Sequence, residues 1–366
     1  MSKYDNAILP DKAILVGLGL DETIDETALD ELASLCATCN ISTAGRTVQN
    51  RDKPDPATAV GKGKAEEIAH MVDQAQADCV VFDIELSGSK VRNLEALFGV
   101  PVLDRSKVIL DIFAQRAGSA EGKLQVELAQ LKYNLPRLIG SGGLMSKMKN
   151  AVGMRGPGEK KLELDKRTIR DQILALEKQL VKVSQNRDLN RRSAVKGGKA
   201  RVSLVGYTNS GKSTLMNTMS KAGVLAEDML FATLDAKTNN VYLQREDGSG
   251  VQILLTDTVG FIDKLPHEFI SAFESTLDEA RYADLLLHVV DVSNPDYPNQ
   301  MAVVNQVLGK IGADKIPQII VFNKVDMLDK NQAPAVTGSV AISAKQKTNI
   351  DELKEKIIEW LETTKV

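Results

Sequence analysis

The chain has 366 residues and a formal net charge of −3, with 43% of its residues hydrophobic and 26% charged. This length exceeds one typical hydrophobic core and predicts two or three domains. The hydrophobic and charged fractions are ordinary for a soluble globular protein. The sequence has no apolar run near the roughly 18 residues of a membrane-spanning helix, and its first residues lack the basic and apolar regions of a secretory signal. We therefore expect a cytoplasmic protein without a membrane span.

The three cysteines cannot all pair with one another, which fits a reducing compartment. Cys36 and Cys39 form a Cys-x-x-Cys pair, which could serve metal or redox chemistry or could be two small residues on one helix face. Without a second pair or a nearby histidine, the sequence favours the helix face. His288 lies in the apolar run 285–290, which predicts a core residue rather than a catalyst.

Residues 1–103 alternate short apolar runs with amphipathic stretches. This alternation predicts an N-terminal α/β domain with a largely parallel sheet. The predicted strands are 13–18, 41–48, 79–84 and 100–103, and the predicted helices are 28–39, 64–77 and 91–98.

A helical subdomain is predicted over residues 104–192, because two sets of apolar residues recur at alternating spacings of three and four. The Gly-rich stretch 139–158 between the sets can reverse the chain, so we expect an antiparallel coiled-coil hairpin, or alternatively two ordinary bundle helices. Residues 193–199 form a linker with a Gly pair, and a third domain fills 200–366. The two apolar sets are Leu124, Leu128, Leu131, Leu135 and Leu138, and Ile169, Ile173, Leu176, Leu180 and Val183.

Positive charge is concentrated in residues 145–201, which contain sixteen Lys and Arg but only six Asp and Glu. A solvated helix face is the usual reason for a charge run, yet this excess is large for so short a segment. We expect nucleic acid as its partner, held through phosphates and not by sequence-specific recognition of DNA.

A phosphate-binding loop follows the strand-like run 200–205 and precedes a predicted helix over 214–221. Glycines let backbone N–H groups turn toward phosphates, and the helix N-terminus adds the positive end of its dipole. We expect Lys212 to reach the β- and γ-phosphates and the Ser213 hydroxyl to bind Mg²⁺. The loop is Gly206-Tyr207-Thr208-Asn209-Ser210-Gly211-Lys212-Ser213.

The motif Asn323-Lys324-Val325-Asp326 follows the apolar strand 319–322 and predicts that the bound base is guanine. The Asp326 carboxylate can accept two hydrogen bonds from guanine, whereas adenine offers no such donor pair, and an unpaired acceptor costs about 1–3 kcal/mol. We expect Lys324 to lie along the base and Asn323 to tie this loop to the phosphate loop. Ser343-Ala344-Lys345 follows a short strand and fits the loop behind the base.

Two further segments fit sensors of the γ-phosphate: Asp257-Thr258-Val259-Gly260 and Phe231-Ala232-Thr233-Leu234-Asp235. Asp257 would hold Mg²⁺ through water, the Gly260 N–H would donate to the γ-phosphate, and Thr233 would be the second protein ligand of Mg²⁺, with Thr238 as its rival. Loss of the γ-phosphate would release both segments, so the motifs predict a GTP/GDP switch.

The predicted catalytic residues are Lys212, Thr233 and Gly260. The residue after Gly260 is Phe261, where Ras-like GTPases have a glutamine that orients the attacking water. Either another side chain of this chain replaces that glutamine, or intrinsic hydrolysis is slow and a partner completes the site. We favour the second interpretation.

These motifs, together with Phe261 and the upstream sequence, resemble the HflX family of translational GTPases over essentially the whole chain. The fold class is then mixed α/β: an N-terminal α/β domain, a coiled-coil hairpin and a Ras-like P-loop GTPase domain. Lys160-Lys161 departs from the family's usual Thr-Gln. The upstream residues that carry the resemblance are Gly61-Lys62-Gly63-Lys64 with Glu66-Glu67-Ile68, Asp104-Arg105, the helix from Leu124 to Leu131, and Arg155-Gly156-Pro157-Gly158-Glu159 with Leu162-Glu163.

The resemblance implies a monomeric GTPase that binds GTP and GDP with Mg²⁺, and that binds the large ribosomal subunit and its rRNA. Such a protein separates stalled or idle ribosomes, often under stress. The sequence ends at Val366, soon after the predicted helix 350–361, so we expect no further C-terminal domain.

Three alternatives stay open at this point. The chain could be a GTP-gated regulatory module that binds a non-ribosomal protein or RNA partner. It could also be a nucleotide-driven enzyme that modifies or remodels RNA, but the sequence shows no further catalytic cluster for modification chemistry. Gly61–Lys64 could be a second phosphate or RNA-backbone site or a structural turn, and the sequence does not decide between them.

Overall fold

The computed structural model describes residues 10–20, 23–138, 157–195, 198–220, 230–231, 233–245, 248–264, 274–328 and 336–364, with the backbone alone at 157–162, 184–195 and 274–276. The chain divides into two compact units. Unit 1 comprises Met1–Gln115 with Val126–Lys178, and unit 2 comprises Arg116–Gln125 with Gln179–Val366.

Unit 1 contains a four-stranded parallel sheet in the order β2-β1-β3-β4. The apolar run of β1 is buried almost throughout, as expected of an inner strand of a parallel sheet. The predicted helix 28–39 begins instead as the 3-10 turn Glu26–Leu29, because the Asp25 carboxylate accepts a hydrogen bond from the Thr27 N–H and caps the turn. The elements are β1 (Lys12–Gly19), α1 (Asp30–Thr38), β2 (Ser42–Asn50), α2 (Lys62–Ala75), β3 (Cys79–Phe82), α3 (Gly88–Phe98), β4 (Val102–Asp104) and α4 (Arg105–Arg116).

Two long helices follow, α5 (Ala120–Arg137) and α6 (Pro157–Val195), where the sequence predicts the arms of the hairpin. On α6 the predicted apolar seam is the less exposed side: Leu176 is buried, whereas Leu174 beside it is exposed. Lys132 Nζ lies 2.9 Å from Glu177 Oε1 and ties the two helices within unit 1. Residues 139–156 of the loop predicted to reverse the chain, including Arg155 and Gly156, lie outside the described residues, and the last two residues of that loop, Pro157 and Gly158, belong to α6.

Unit 2 is built on a six-stranded sheet in the order β10-β9-β8-β5-β7-β6, parallel except for the edge strand β6. Its inner strands are apolar because helices cover the sheet. In the core, side chains of the strands pack against side chains of the helices at 212–220 and 350–364. A 3-10 turn, Val325–Met327, follows β9. The elements are β5 (Ala200–Val205), α7 (Lys212–Ser220), β6 (Lys237–Gln244), β7 (Gly250–Asp257), α8 (Glu274–Arg281), β8 (Leu285–Asp291), α9 (Tyr297–Lys310), β9 (Gln318–Asn323), β10 (Val340–Ala341) and α10 (Ile350–Thr364).

The cysteines of unit 1 belong to its interior. Cys36, Cys39 and Cys79 are buried free thiols, and burial raises the pKa of each to about 12. Within the described part of the chain no group of His, Cys, Asp and Glu side chains could hold a metal ion. The helix-face interpretation of Cys36 and Cys39 therefore fits the structure. None of the helices the structure describes is long and apolar enough to cross a membrane.

Candidate nucleotide site

The phosphate loop lies at the carboxyl end of β5, in the middle of the unit 2 sheet, and leads directly into α7 at Lys212. Crevices at the carboxyl ends of parallel strands are the usual ligand sites of such sheets. Gly211 has a φ of 92°, and a Cβ there would overlap with Asn323 Nδ2. Glycine is therefore required both by the backbone and by the close approach of the next loop.

A cavity of about 530 Å³ opens beside this loop, within the usual size range of ligand sites. Its walls come from all five predicted segments of the site, so the fold brings together motifs that are more than a hundred residues apart. Thr214 and Met327 line the cavity although sequence reasoning missed them. The lining residues are Thr208, Asn209, Gly211, Lys212, Ser213, Thr214, Phe231, Thr233, Thr258, Gly260, Asn323, Lys324, Asp326, Met327, Ala344 and Lys345.

Ser213, Thr233 and Asp257 meet at one corner of the site. Ser213 Oγ lies 2.9 Å from Thr233 Oγ1, and both hydroxyls hydrogen-bond Asp257 Oδ2, at 2.6 and 2.8 Å. Adjacent ligands of octahedral Mg²⁺ are about 2.9 Å apart, because each bond is about 2.0–2.1 Å long. Asp257 Oδ1 is buried and has no hydrogen-bond partner among the described residues. Two hydroxyls and one carboxylate with spare capacity fit Mg²⁺, which keeps several of its waters.

Lys212 lies under the phosphate loop, where its ammonium donates to the Gly206 and Tyr207 carbonyls at 3.0 and 2.7 Å. Burial lowers its pKa to about 8, and the charge of Asp257 acts in the opposite direction. A buried cation beside helix N–H groups attracts anions strongly. Thr208 Oγ1 is also buried without a partner among the described residues, and because Thr208 lines the cavity, it adds a polar group beside the place where a phosphate would bind. Ser210 Oγ is buried without such a partner too, but Ser210 is not among the residues that line the cavity.

Asn323 connects three loops. Its Nδ2 donates to the Ser210 carbonyl at 2.8 Å, and its Oδ1 accepts from the Ala344 N–H at 3.0 Å. The neighbouring Lys324 has a left-handed backbone with a φ of 65°, and its Nζ lies 2.7 Å from Asp291 Oδ2 at the end of β8. Sequence reasoning did not single out Asp291, although its place after the apolar run 285–290 put it at the same sheet edge.

Phe261 is locked in the core, with 1% of its surface exposed. Its N–H donates to the Gly206 carbonyl and its carbonyl accepts from the Thr208 N–H, at 3.1 and 2.7 Å, so a short parallel bridge joins it to the phosphate loop. Tyr207 adds a second link, because its hydroxyl accepts from the Asp263 N–H at 2.9 Å. The residue in the place of a catalytic glutamine thus points away from the cavity.

Thr233 and Thr238 lie in different places. Thr233 is 7% exposed and reaches Ser213 and Asp257, as described above. Thr238 lies within β6, opposite Thr256 of β7, and the two hydroxyls are 2.9 Å apart. Strand pairing therefore keeps Thr238 away from the metal corner.

Two residues of the predicted Phe231–Asp235 segment point elsewhere, and we correct their assignment to the nucleotide. Leu234 is buried in the core because its side chain is apolar. The Asp235 carboxylate accepts hydrogen bonds from the Gly118 and Ser119 N–H groups, at 3.1 and 2.8 Å, and thus faces the start of α5. Phe231 lines the cavity, and Ala232 lies outside the described residues.

The remaining predicted residues support the cavity from behind. Val259 is buried, and Val325 packs with residues beneath the base loop. The Ser343 hydroxyl is buried and accepts from the Gln346 N–H at 3.0 Å, so it shapes its own loop. His288 is buried in β8, as predicted, and burial lowers its pKa to about 4, with the charge of Lys212 acting in the same direction.

Comparison with known proteins agrees with this site. Three family models match along the chain: a GTP-binding GTPase N-terminal region at 26–114, a GTP-binding GTPase middle region at 116–194, and a 50S ribosome-binding GTPase at 201–324. The GTPase HflX of Caldanaerobacter subterraneus subsp. tengcongensis is 47% identical over 348 residues, which are 95% of this chain and 80% of the relative. The chain belongs to the HflX family of GTPases.

One further HflX relative and one solved structure add to this comparison. GTPase HflX of Escherichia coli strain K12 is 43% identical over 327 residues, covering 89% of this chain and 76% of the relative. A crystal structure of SsGBP with GDP shares the fold, with a TM-score of 0.53 at 23% identity, covering 97% of this chain and all of that one. The predicted mixed α/β fold with a P-loop GTPase domain is confirmed, and the HflX relationship makes the chain an enzyme that hydrolyses GTP to GDP and phosphate.

Proposed function

We propose that this chain is a GTP-driven switch that binds the large ribosomal subunit and separates stalled or idle ribosomes. The observation that carries the switch is the meeting of Thr233 with Ser213 and Asp257. Thr233 belongs to a segment that precedes an edge strand, whereas Ser213 belongs to the phosphate loop and Asp257 to β7. A γ-phosphate and its metal would favour this arrangement, and GDP would favour it less.

Ser213 and Thr233 would hold Mg²⁺ directly, and Asp257 would hold it through water. When bound, the metal neutralises charge on the β- and γ-phosphate oxygens. Lys212 would contact the same two phosphates, and the Gly260 N–H would donate to the γ-phosphate. Gly260 fits this role because a Cβ there would lie only 2.9 Å from Thr208 Cα. The Asp326 carboxylate at the cavity wall would select guanine.

Intrinsic hydrolysis is slow in this proposal. Phe261 offers no polar group to the attacking water, and its side chain is buried behind the phosphate loop. A glutamine that orients water contributes directly to catalysis in related GTPases. The proposal therefore requires a partner to order the site for full activity.

The large ribosomal subunit is proposed as that partner on two grounds. The model matching residues 201–324 carries the description of a 50S ribosome-binding GTPase. The basic segment 145–201 includes α6, on which Arg170, Lys178 and Lys182 are exposed to solvent. Exposed cations on a long helix suit contacts with rRNA phosphates, whose strength depends on salt.

The test is single-turnover GTP hydrolysis by the full chain, alone and with purified large ribosomal subunits, at several salt concentrations. We expect strong stimulation that weakens as salt increases. Arg170→Gln, Lys178→Gln and Lys182→Gln together should reduce the salt dependence, by roughly one unit in the log–log slope for each lost phosphate contact. Lys12→Gln, Lys310→Gln and Lys315→Gln, all at exposed positions, remove equal charge elsewhere and should leave stimulation unchanged.

The possible outcomes separate the alternatives. Stimulation lost in the α6 variant and kept in its control supports the proposal. Fast hydrolysis without subunits would overturn the requirement for a partner. Tight GTP binding without stimulation by subunits would instead favour a regulatory module for another partner.

A further inference from the structure

The Asp235 carboxylate lies in a place that nucleotide binding does not explain. Its Oδ2 accepts from the backbone N–H groups of Gly118 and Ser119, and its Oδ1 accepts from the Ser119 hydroxyl at 2.5 Å. The segment Arg116–Gln125 and Asp235 both belong to unit 2. More than a hundred residues of chain separate the two partners, so this contact is a product of the fold and not of local turn geometry.

Asp235 also acts on the first turns of α5. The Ser119 hydroxyl, which donates to Asp235, accepts from the Gly122 N–H at 2.8 Å. The carboxylate thus lies at the positive end of a helix, where a negative charge is favourable. A Cβ added at Gly122 would lie 2.5 Å from Asp235 Oδ1 and 3.1 Å from Ser119 Oγ. Glycine is what lets the carboxylate approach this closely.

The side chains of Thr233, Leu234 and Asp235 contact three different parts of the protein and together hold this short segment in place. Thr233 faces the metal corner, Leu234 is buried in the core, and Asp235 bonds to the residues before α5. Because only one residue separates Thr233 from Asp235, the position of one side chain constrains the other. Charge-assisted hydrogen bonds are the strong class of such contacts.

The opposite end of α5 is also fixed by an aspartate. Within unit 1, Asp104 accepts from the Tyr133 hydroxyl and from the Arg137 guanidinium, both at 2.8 Å. Asp104 is buried, so these bonds are shielded from solvent. Carboxylates therefore bind residues near both ends of α5.

From these contacts we infer that Asp235 is a positioning residue that links the GTP-sensing position of Thr233 to the start of α5. The inference rests on the proposed role of Thr233 in the switch. Binding of GTP with the metal favours the Thr233 contact and thereby the Asp235 contact. By linkage, a partner that steadies α5 in this position favours GTP over GDP to the same degree.

The experiment measures the affinities of the full chain for fluorescent GMPPNP and fluorescent GDP with Mg²⁺. Asp235→Ala and Gly122→Ala should each reduce the preference for GMPPNP over GDP by about tenfold, with GDP affinity changed less than twofold. Gly122→Ala disrupts the contact between Asp235 and the start of α5 while leaving Asp235 itself unchanged. Alanine is also a better helix former than glycine, so a reduced preference in this variant is not explained by loss of helix stability.

Two matched controls separate the link from general effects. Asp25→Ala removes another aspartate that caps a helical turn, in unit 1. Gly309→Ala introduces the same methyl group into α9, where the new Cβ would have no described atom within 4 Å apart from its chain neighbours and the backbone of its own helix. Both controls should keep the wild-type preference. Equal weakening of both nucleotides by Asp235→Ala, or no effect of Gly122→Ala, would overturn the inference.

Thr233→Ala distinguishes failure of the link from failure of the switch. If Thr233→Ala leaves the preference for GMPPNP intact, the proposed switch itself is wrong. If Thr233→Ala removes the preference while Asp235→Ala and Gly122→Ala keep it, only the link is wrong. In the double variant Thr233→Ala with Gly122→Ala we expect no loss beyond that of Thr233→Ala, because Asp235 acts through Thr233.

Discussion

Asn323 Nδ2 donates to the Ser210 carbonyl at 2.8 Å, and this bond holds the base-recognition loop against the phosphate loop. Asn323→Ala removes this bond and the one to the Ala344 N–H, and leaves buried groups unpaired at a cost of about 1–3 kcal/mol. We expect GTP and GDP affinities to fall together, roughly ten- to hundredfold, as measured by fluorescent nucleotide titration.

Asn50→Ala provides the matched control. The Asn50 side chain also bonds backbone at both ends, accepting from the Ile24 N–H and donating to the Ile24 carbonyl, but in unit 1. It should lower stability without changing nucleotide affinity. Unchanged affinity in Asn323→Ala would show that the two loops do not need this tie.

Asp326→Asn should shift the base preference from guanine toward xanthine. An amide presents a donor to the xanthine carbonyl and no longer accepts both guanine donors, which we expect to cost GTP at least about tenfold in affinity. Competition between GTP and XTP measures the shift. Asp314→Asn removes an exposed charge of unit 2 elsewhere and should keep guanine selectivity. Wild-type selectivity in Asp326→Asn would place the guanine contact on another residue.

Phe261→Gln should not create a fast Ras-like enzyme. The side chain at this position is buried and its backbone is bridged to Gly206 and Thr208, so a glutamine amide would be buried without water to orient. We expect a loss of stability of about 1–3 kcal/mol and no increase in single-turnover hydrolysis.

Phe261→Leu should be more stable than Phe261→Gln, because it keeps an apolar side chain in the core. It should hydrolyse GTP at a rate similar to that of Phe261→Gln. Phe82→Gln, at a buried site in unit 1, is a control for the burial of an amide away from the nucleotide. Accelerated hydrolysis in Phe261→Gln alone would mean that this segment can turn its side chain into the cavity.

His288 predicts a dependence of stability on pH. Burial lowers the pKa of His288 to about 4. Between about pH 6.5 and 4, His288 is therefore protonated in the unfolded state but neutral in the folded state. The stability conferred by a neutral His288 is complete above about pH 6.5 and is lost as the pH falls toward 4, by up to about 3 kcal/mol.

Denaturant unfolding at pH 7.0, 5.5 and 4.5 measures this loss. His288→Phe should flatten this part of the pH dependence, whereas His70→Gln, at an exposed position of α2, should not. Equal pH dependence in His288→Phe and the wild type would assign the effect to other groups.

Much of the nucleotide site could be predicted because its chemistry is local. The strand, loop and helix around Lys212 are consecutive in sequence, and so are the strand β9 and the Asp326 loop that follows it. Each motif needs particular residue types for a stated physical reason, and parallel strands bring their carboxyl ends to one edge of the sheet. The positions of Lys212, Ser213 and Asp326 at the cavity follow from these facts alone.

Contacts between distant segments could not be predicted in this way. The choice between Thr233 and Thr238 depends on where β6 begins, and the pairing of Lys237 with Asp257 sets that point. The Asp235 carboxylate reads as one more polar group near the nucleotide until the fold places Ser119 beside it. Asp291 gives no sequence signal for its bond to Lys324 apart from its place after a buried strand.

The hairpin of β6 and β7 has one end at the metal corner and the other away from it. Asp257 pairs with Lys237, four residues after Thr233, while Gly250 pairs with Gln244 at the opposite end, roughly 24 Å away at the usual rise of a strand. A residue inserted between Thr233 and Lys237 would either move the Thr233 hydroxyl away from the metal corner or shift the pairing of β6 with β7 by one residue. That shift would move the side chains of β6 to the opposite face of the sheet. A residue or a reporter group inserted between Gln244 and Gly250 would leave that geometry intact. Natural variation in length should therefore accumulate at one end of this hairpin and be excluded from the other.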